Sequence, residues 1–223
     1  MVRFLPILAG ATLRDRLVAC LGALVAISIT GVIGAQAVGA DAALLIVAPM
    51  GASAVLVFAV PASPLAQPWP VIGGNLISAL VGVSVARLLP VPAVAAGVAV
   101  GAAILAMSLS RSLHPPGGAS ALLAVVGGPE IAAAGYGYAL VPVGLNALVL
   151  AAIGIAFHRL SGHSYPHVAA VPGAAVAPGM PHREDIDRAL ADLGETFDVS
   201  RDDLDLLLQR AEHHAMLRVG VTK

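Results

Sequence analysis

Charge is scarce in these 223 residues. Only 11% are Asp, Glu, Lys or Arg, against about 25% in an ordinary soluble domain. With 58% hydrophobic residues and a mean hydropathy of +0.91, that scarcity excludes a water-soluble globule and leaves a membrane protein. Cysteine is nearly absent: Cys20 stands alone in an apolar run, which excludes a disulfide within the chain and leaves lipid contact or packing as its role. The spans also lack a nucleophile paired with a base and any cluster of metal ligands, His114 being without an obvious partner. An enzyme is therefore not expected, nor a metal, a cofactor or a nucleic-acid partner.

What charge there is lies unevenly. Residues 1–182 are net +3 and residues 183–223 net −4, so the chain divides into a transmembrane domain (1–167), a Pro, Gly and Ala linker (168–182) and a soluble acidic helical tail (183–223). In the tail, Ile186, Leu190, Leu193, Leu204, Leu207 and Leu208 recur at helical spacing, broken at Gly194, and Ser200 with Asp203 fits a capping box. His213 and His214 point to different sides of a helix and make a poor metal pair. His158, His163 and His167 read as interface anchors.

Uncharged runs of about 20 residues match a bilayer. They place full spans at about residues 17–38, 71–88, where Arg87 stands at the end of an uncharged run (42–86), 93–110 and 138–157. The first is longer than the apolar core of a cleaved signal and reads as retained. Two shorter apolar pieces, 49–60 and 116–127, begin at prolines and reach about half a bilayer as helices. The fold class expected is thus all-α, with four transmembrane helices and two short re-entrant helices.

The same parts occur twice. "PMGASAVL" at 49–56 aligns with "PGGASALL" at 116–123, pairing Pro49 with Pro116, Gly51 with Gly118 and Ser53 with Ser120. "IGGNLISALVG" at 72–82 aligns with "VGLNALVLAAIG" at 143–154, pairing Asn75 with Asn146. A duplicated repeat of span, short helix, span is expected. With re-entrant short helices the repeats are parallel, and Arg3, Arg14, Arg16, Arg87 and Arg159 share one face, the cytoplasmic one by the positive-inside rule. Asp41, Arg111 and Glu130 take the other face, and both termini are cytoplasmic.

A helix starting at membrane depth presents unpaired amides and the positive end of its dipole, and glycines admit a ligand to the backbone. The helix starts at Pro49 and at Pro116, Gly117 and Gly118 are therefore expected to face one anion site. The plainer reading of "HPPGG" is a tight turn. Arg111 is either an anion-recruiting group or a snorkelling one. His114 caps the short helix, shuttles a proton or touches the solute. Asn75 and Asn146 bind solute or glue helices together. Ser53 and Ser120 line the path or back-bond within their helices. Gly97 and Gly101, and the stripe Gly74, Ser78, Gly82 and Ala86, allow close packing within one subunit or in a homo-oligomer.

The blocks "LHPPGGASAL" (113–122), "APMGASAVLVFAVPASPLAQPWPVIGGNLISALVG" (48–82) and "GYALVPVGLNALVLAAIG" (137–154) resemble the HPP family of integral membrane proteins, over roughly residues 14–167. The resemblance implies a four-helix membrane domain. Plant plastid members are linked to nitrite transport, and many bacterial members carry a pair of CBS domains, a pattern from which residues 183–223 depart. The expected function is a transporter or channel for a small inorganic anion, with nitrite leading, in a bacterial inner membrane. The alternative is a membrane anchor or sensor with a regulatory tail.

Overall fold

The computed structural model describes residues 13–38, 40–168, 183–193 and 198–219. Arg3, the side chain of Asp41, most of the expected linker (169–182) and the expected break at Gly194 lie outside the described residues. All regular structure among them is helical. Four helices are long and apolar enough to cross a membrane: Leu13–Ala37, Pro70–Leu88, Pro92–Leu109 and Tyr136–Ser161. These are the four expected spans, and the chain is an integral membrane protein.

Prolines set the boundaries. Helix α1 (Leu13–Val38) is followed by α2 (Ala40–Ala59), and Pro61, Pro64, Pro68 and Pro70 shape the connection to α3 (Asn75–Leu88). Pro92 opens α4 (Pro92–Leu109) after an extended Val91, and Pro115 opens α5 (Pro115–Val126) after an extended His114. A fixed φ near −65° and a missing N–H suit the first helical turn. The short helices α6 (Pro129–Ala134) and α7 (Tyr136–Tyr138) lead into α8 (Leu145–Ser161). A π-helical turn precedes α3 (Pro70–Gly74) and another precedes α8 (Ala139–Gly144).

One expected helix start is corrected. Helix α2 does not begin at Pro49; it runs from Ala40 through that proline. In a membrane a proline within a helix is tolerated where neighbouring groups re-satisfy the backbone it disturbs, and the Ser53 hydroxyl bonds the Pro49 carbonyl at 3.1 Å.

The expected re-entry of the short helices is corrected too. Arg16 near the start of α1 donates to the Ala59 carbonyl at the end of α2 (3.0 Å), and Gly22 faces Phe58 and Phe157. The start of α1 and the ends of α2 and α8 therefore share one end of the bundle. At the other end Arg87, closing α3, lies over the Tyr136 ring at 4.7 Å, and Ser84 bonds the Tyr136 hydroxyl at 3.1 Å. Helix α5 begins beside Gly74, near the start of α3, and passes Gly82 at Ala121 and Ala124, so the two run in the same direction. After α5, the turns of α6 and α7 deliver the chain to Tyr136 at the Arg87 end. Each short helix thus connects opposite ends of the bundle, and Arg87 stands at the end opposite Arg16 and Arg159. Twelve residues reach only about 18 Å; α6 and α7 supply the remaining distance after α5.

Small residues let these helices approach. A Cβ at Gly82 would stand 2.4 Å from the Ala121 carbonyl, and one at Gly154 2.6 Å from Val57 Cγ1. The stripe Gly74, Ser78, Gly82 therefore packs within the chain. At Gly97 and Gly101 of α4, no other described residue outside the helix's own backbone comes within 4 Å of the same position.

The chain divides into two compact units between Pro166 and His167. In the second, α9 (Arg183–Leu193) and α10 (Arg201–Val219) are joined by a contact of Arg201 with Asp187. Ser200 Oγ accepts from the Asp203 amide at 3.1 Å, as in the expected capping box.

Candidate functional site

Four of the polar residues picked out in the sequence meet in one hydrogen-bonded line. Ser53 on α2, Asn75 on α3, Ser120 on α5 and His114 before α5 are all wholly buried. Ser120 Oγ donates to Asn75 Oδ1 (2.8 Å). Asn75 Nδ2 donates to the Val71 carbonyl (2.9 Å) and to Ser53 Oγ (3.3 Å). Ser53 Oγ lies 2.8 Å from His114 Nε2, and His114 Nδ1 lies 2.8 Å from the Leu65 carbonyl. A carbonyl only accepts, so Nδ1 carries the proton; in the neutral ring Nε2 accepts from Ser53, which shares its one hydroxyl proton between that nitrogen and the Pro49 carbonyl. The Tyr138 hydroxyl extends the line by donating to the Ser120 carbonyl (3.1 Å).

The asparagine is placed by its π-helical turn. Immediately before Asn75 the backbone widens over Pro70–Gly74, and such widenings frequently sit at functional sites. Asn146 follows the second one, over Ala139–Gly144. It is wholly buried as well, but neither its Oδ1 nor its Nδ2 has a hydrogen-bond partner among the described residues.

The amide-lined anion site expected at the helix starts is not what the backbone builds. Pro115 and Pro116 occupy the first two helical positions and carry no N–H, and the Gly117 amide is already given to the His114 carbonyl at 2.8 Å. Prolines at these positions remove the donors that the expected site requires. Gly117 serves helix packing: a Cβ there would stand 2.8 Å from both the Gly74 carbonyl and Ser78 Oγ. His114 holds the N-cap position without a side-chain cap bond, its ring being turned to Leu65 and Ser53. Arg111 is exposed, in a turn with φ 54°, and does not join the line. Pro49 and Pro116 are buried.

Gly51 and Gly118 do flank free space. Nothing stands within 4 Å of a Cβ at Gly51, and only Val100 Cγ1, at 3.9 Å, at Gly118. The two short segments also share their burial pattern: residues 49–57 and 116–124 have the same sequence of buried, half-buried and exposed positions, nine for nine.

Sequence reasoning missed the Leu65 carbonyl, Tyr138 and Thr30. A backbone acceptor leaves no trace in composition. Tyr138 opens a span where an aromatic residue reads as an interface anchor. Thr30, wholly buried with its hydroxyl unpartnered, was legible as a rare hydroxyl in an apolar run.

The transmembrane-region model of the HPP family matches residues 9–166. A transmembrane protein of Dictyostelium discoideum is 39% identical over 128 residues, covering 55% of this chain and 44% of that protein. Another from the same organism is 40% identical over 112 residues, covering 48% and 35%. The match takes in less than half the length of either relative. No solved structure matches. The family match spans the whole bundle that carries the buried polar line, and the chain belongs to the HPP family of integral membrane proteins.

Proposed function

We propose that this protein moves a small inorganic anion across the membrane, nitrite first among the candidates, along the buried line of Ser53, Asn75, Ser120 and His114. That line is the observation that carries the reading. An apolar bundle does not need it to cohere, and polar groups at membrane depth are expensive, so their default reading is a solute or proton pathway. Side chains then do the binding, since the prolines leave α5 without free amides in its first turn.

The transmembrane domain is further read as two inverted repeats. The matched burial pattern supports this, as do the paired π-helical turns and the equivalence of two contacts: Gly82 against Ala124 and Gly154 against Val57. Inverted repeats place a solute site at their interface near the midplane. The exposed Gly97 and Gly101 give a second copy a face for close packing, so the working unit is a homo-oligomer with both termini cytoplasmic in a bacterial inner membrane.

Flux into liposomes carrying the purified protein tests the reading, with nitrite, nitrate, formate, chloride and water offered separately. Uptake of nitrite above that of protein-free liposomes supports it. No flux of any of the five contradicts it and leaves the bundle as an anchor for its tail.

A further inference from the structure

We infer that Thr30 and Asn146 form a second polar site, between α1 and α8, for a small neutral molecule that both donates and accepts hydrogen bonds. Both side chains are wholly buried. Among the described residues, none makes a hydrogen bond to Thr30 Oγ1, Asn146 Oδ1 or Asn146 Nδ2. A threonine in a helix ordinarily returns its hydroxyl to the carbonyl one turn back; this one does not.

Two separate helices bring these groups together. Gly34 faces the Asn146 amide, its Cβ position lying 3.2 Å from Oδ1 and 3.5 Å from Nδ2. Thr30 lies four residues earlier, on the same face of α1. That face is built of small buried residues, Gly22, Ala26, Thr30 and Gly34, and the Asn146 amide lies close against it at Gly34. Asn75, the residue paired with Asn146 in the sequence, has every one of these needs met by Ser120, Ser53 and Val71.

The chemistry of the occupant follows from the donors and the missing charge. The amide offers one acceptor and one donor group, and the hydroxyl offers both. No Asp, Glu, Lys, Arg or His lies between Arg16 and Val38 on α1, or between Tyr138 and His158 along the chain that leads into and through α8. A bare ion there would be desolvated without a countercharge. A neutral molecule with a donor and an acceptor satisfies all three atoms. Water is the smallest such molecule. The other source, which rests on the transport reading, is the conjugate acid of a weak-acid solute, such as nitrous or formic acid.

A double-mutant cycle on the full-length protein decides the matter. Thermal unfolding in detergent is measured for Thr30→Val, Asn146→Leu and the pair. With a shared occupant each single variant strands the partners of the other, so each lowers Tm and the pair lowers it little further. Gly34→Ala, a milder change that presses on the amide from α1, lowers Tm in the same sense and serves if a variant fails to fold. Weak-acid flux then identifies the source: unchanged flux in the destabilised variants assigns a resident water, and lost flux assigns the solute. Single variants that leave Tm unchanged or raise it, as removal of an uncompensated polar group would, overturn the site, as do additive effects. The thermal measurement stands whether or not the wild type transports, so failure of the transport reading is seen separately.

Discussion

Ser53 Oγ and His114 Nε2, 61 residues apart in the chain, lie 2.8 Å from each other in the buried centre of the bundle. The Leu65 carbonyl fixes the ring from its other side, so His114 joins α2, the connection before α3 and the start of α5. A polar group left buried without its partner costs about 1–3 kcal/mol. His114→Ala strands the Leu65 carbonyl and reduces the bonding of Ser53. It is expected to lower unfolding stability by that order, measured by thermal melting of the purified protein in detergent.

The two neighbouring glycines of α5 are expected to behave differently. Gly117→Val drives a branched side chain into the Gly74 carbonyl, Ser78 and Met107, all within 2.9 Å of its Cβ. Overpacking of this kind costs about 1–3 kcal/mol, and the variant should express as aggregated or thermally weakened protein. Gly118→Val meets only Val100 and should fold normally. If it lies on the solute path it loses flux while keeping its melting temperature, a split that size-exclusion profiles and uptake assays on the same preparations report.

Much of this was legible in the sequence, because prolines punctuate uncharged runs whose lengths match a bilayer. Ser53, Asn75, Ser120 and His114 stood out as polar residues in apolar surroundings; which of them bond one another is a tertiary matter that no spacing encodes. Pro49 misled because a lone proline signals a helix start in water, whereas in a membrane the chain has few alternatives to remaining helical. The polarity of α5 was hidden by its length: twelve residues read as half a span, and nothing in "GGPEIAAAGYGY" announces that its two short helices carry the chain onward to the Arg87 end. The double proline was read for the helix end it exposes, though the donors it deletes matter more.

Arg87 and Arg159 are expected on opposite faces of the membrane. In a Cys20→Ala background, Arg87→Cys and Arg159→Cys place single thiols at two exposed positions. A membrane-impermeant maleimide added to sealed, oriented vesicles should label one of them without lysis and the other only after it. Equal labelling of both from one side would restore re-entrant short helices.

In the tail, burial alone would raise the Asp203 carboxyl. Hydrogen bonds from Ser200 and His167, with the charge of His167, outweigh it and hold the carboxyl below its ordinary value; His167 Nε2 stands 2.8 Å from Oδ1. A carboxylate depressed in the folded state stabilises that state above its unfolded pKa, and the contribution is lost as pH falls through the folded one. Amide protection over residues 201–219, the exchange rate referred to its intrinsic value at each pH, should therefore be high at neutral pH and fall on acidification below the usual carboxylate range. Asp203→Asn should flatten that dependence.

Nitrite uptake per folded protein, compared between wild type and Ser120→Ala in liposomes of matched protein content, separates a conducting polar line from a structural one. Ser120 donates to Asn75 from the middle of the buried line, and its loss should slow uptake roughly tenfold, the effect of about 1.4 kcal/mol on one barrier, in protein that still elutes as a single species. Equal uptake by the two proteins would rule out passage along the line and return it to the role of glue between helices.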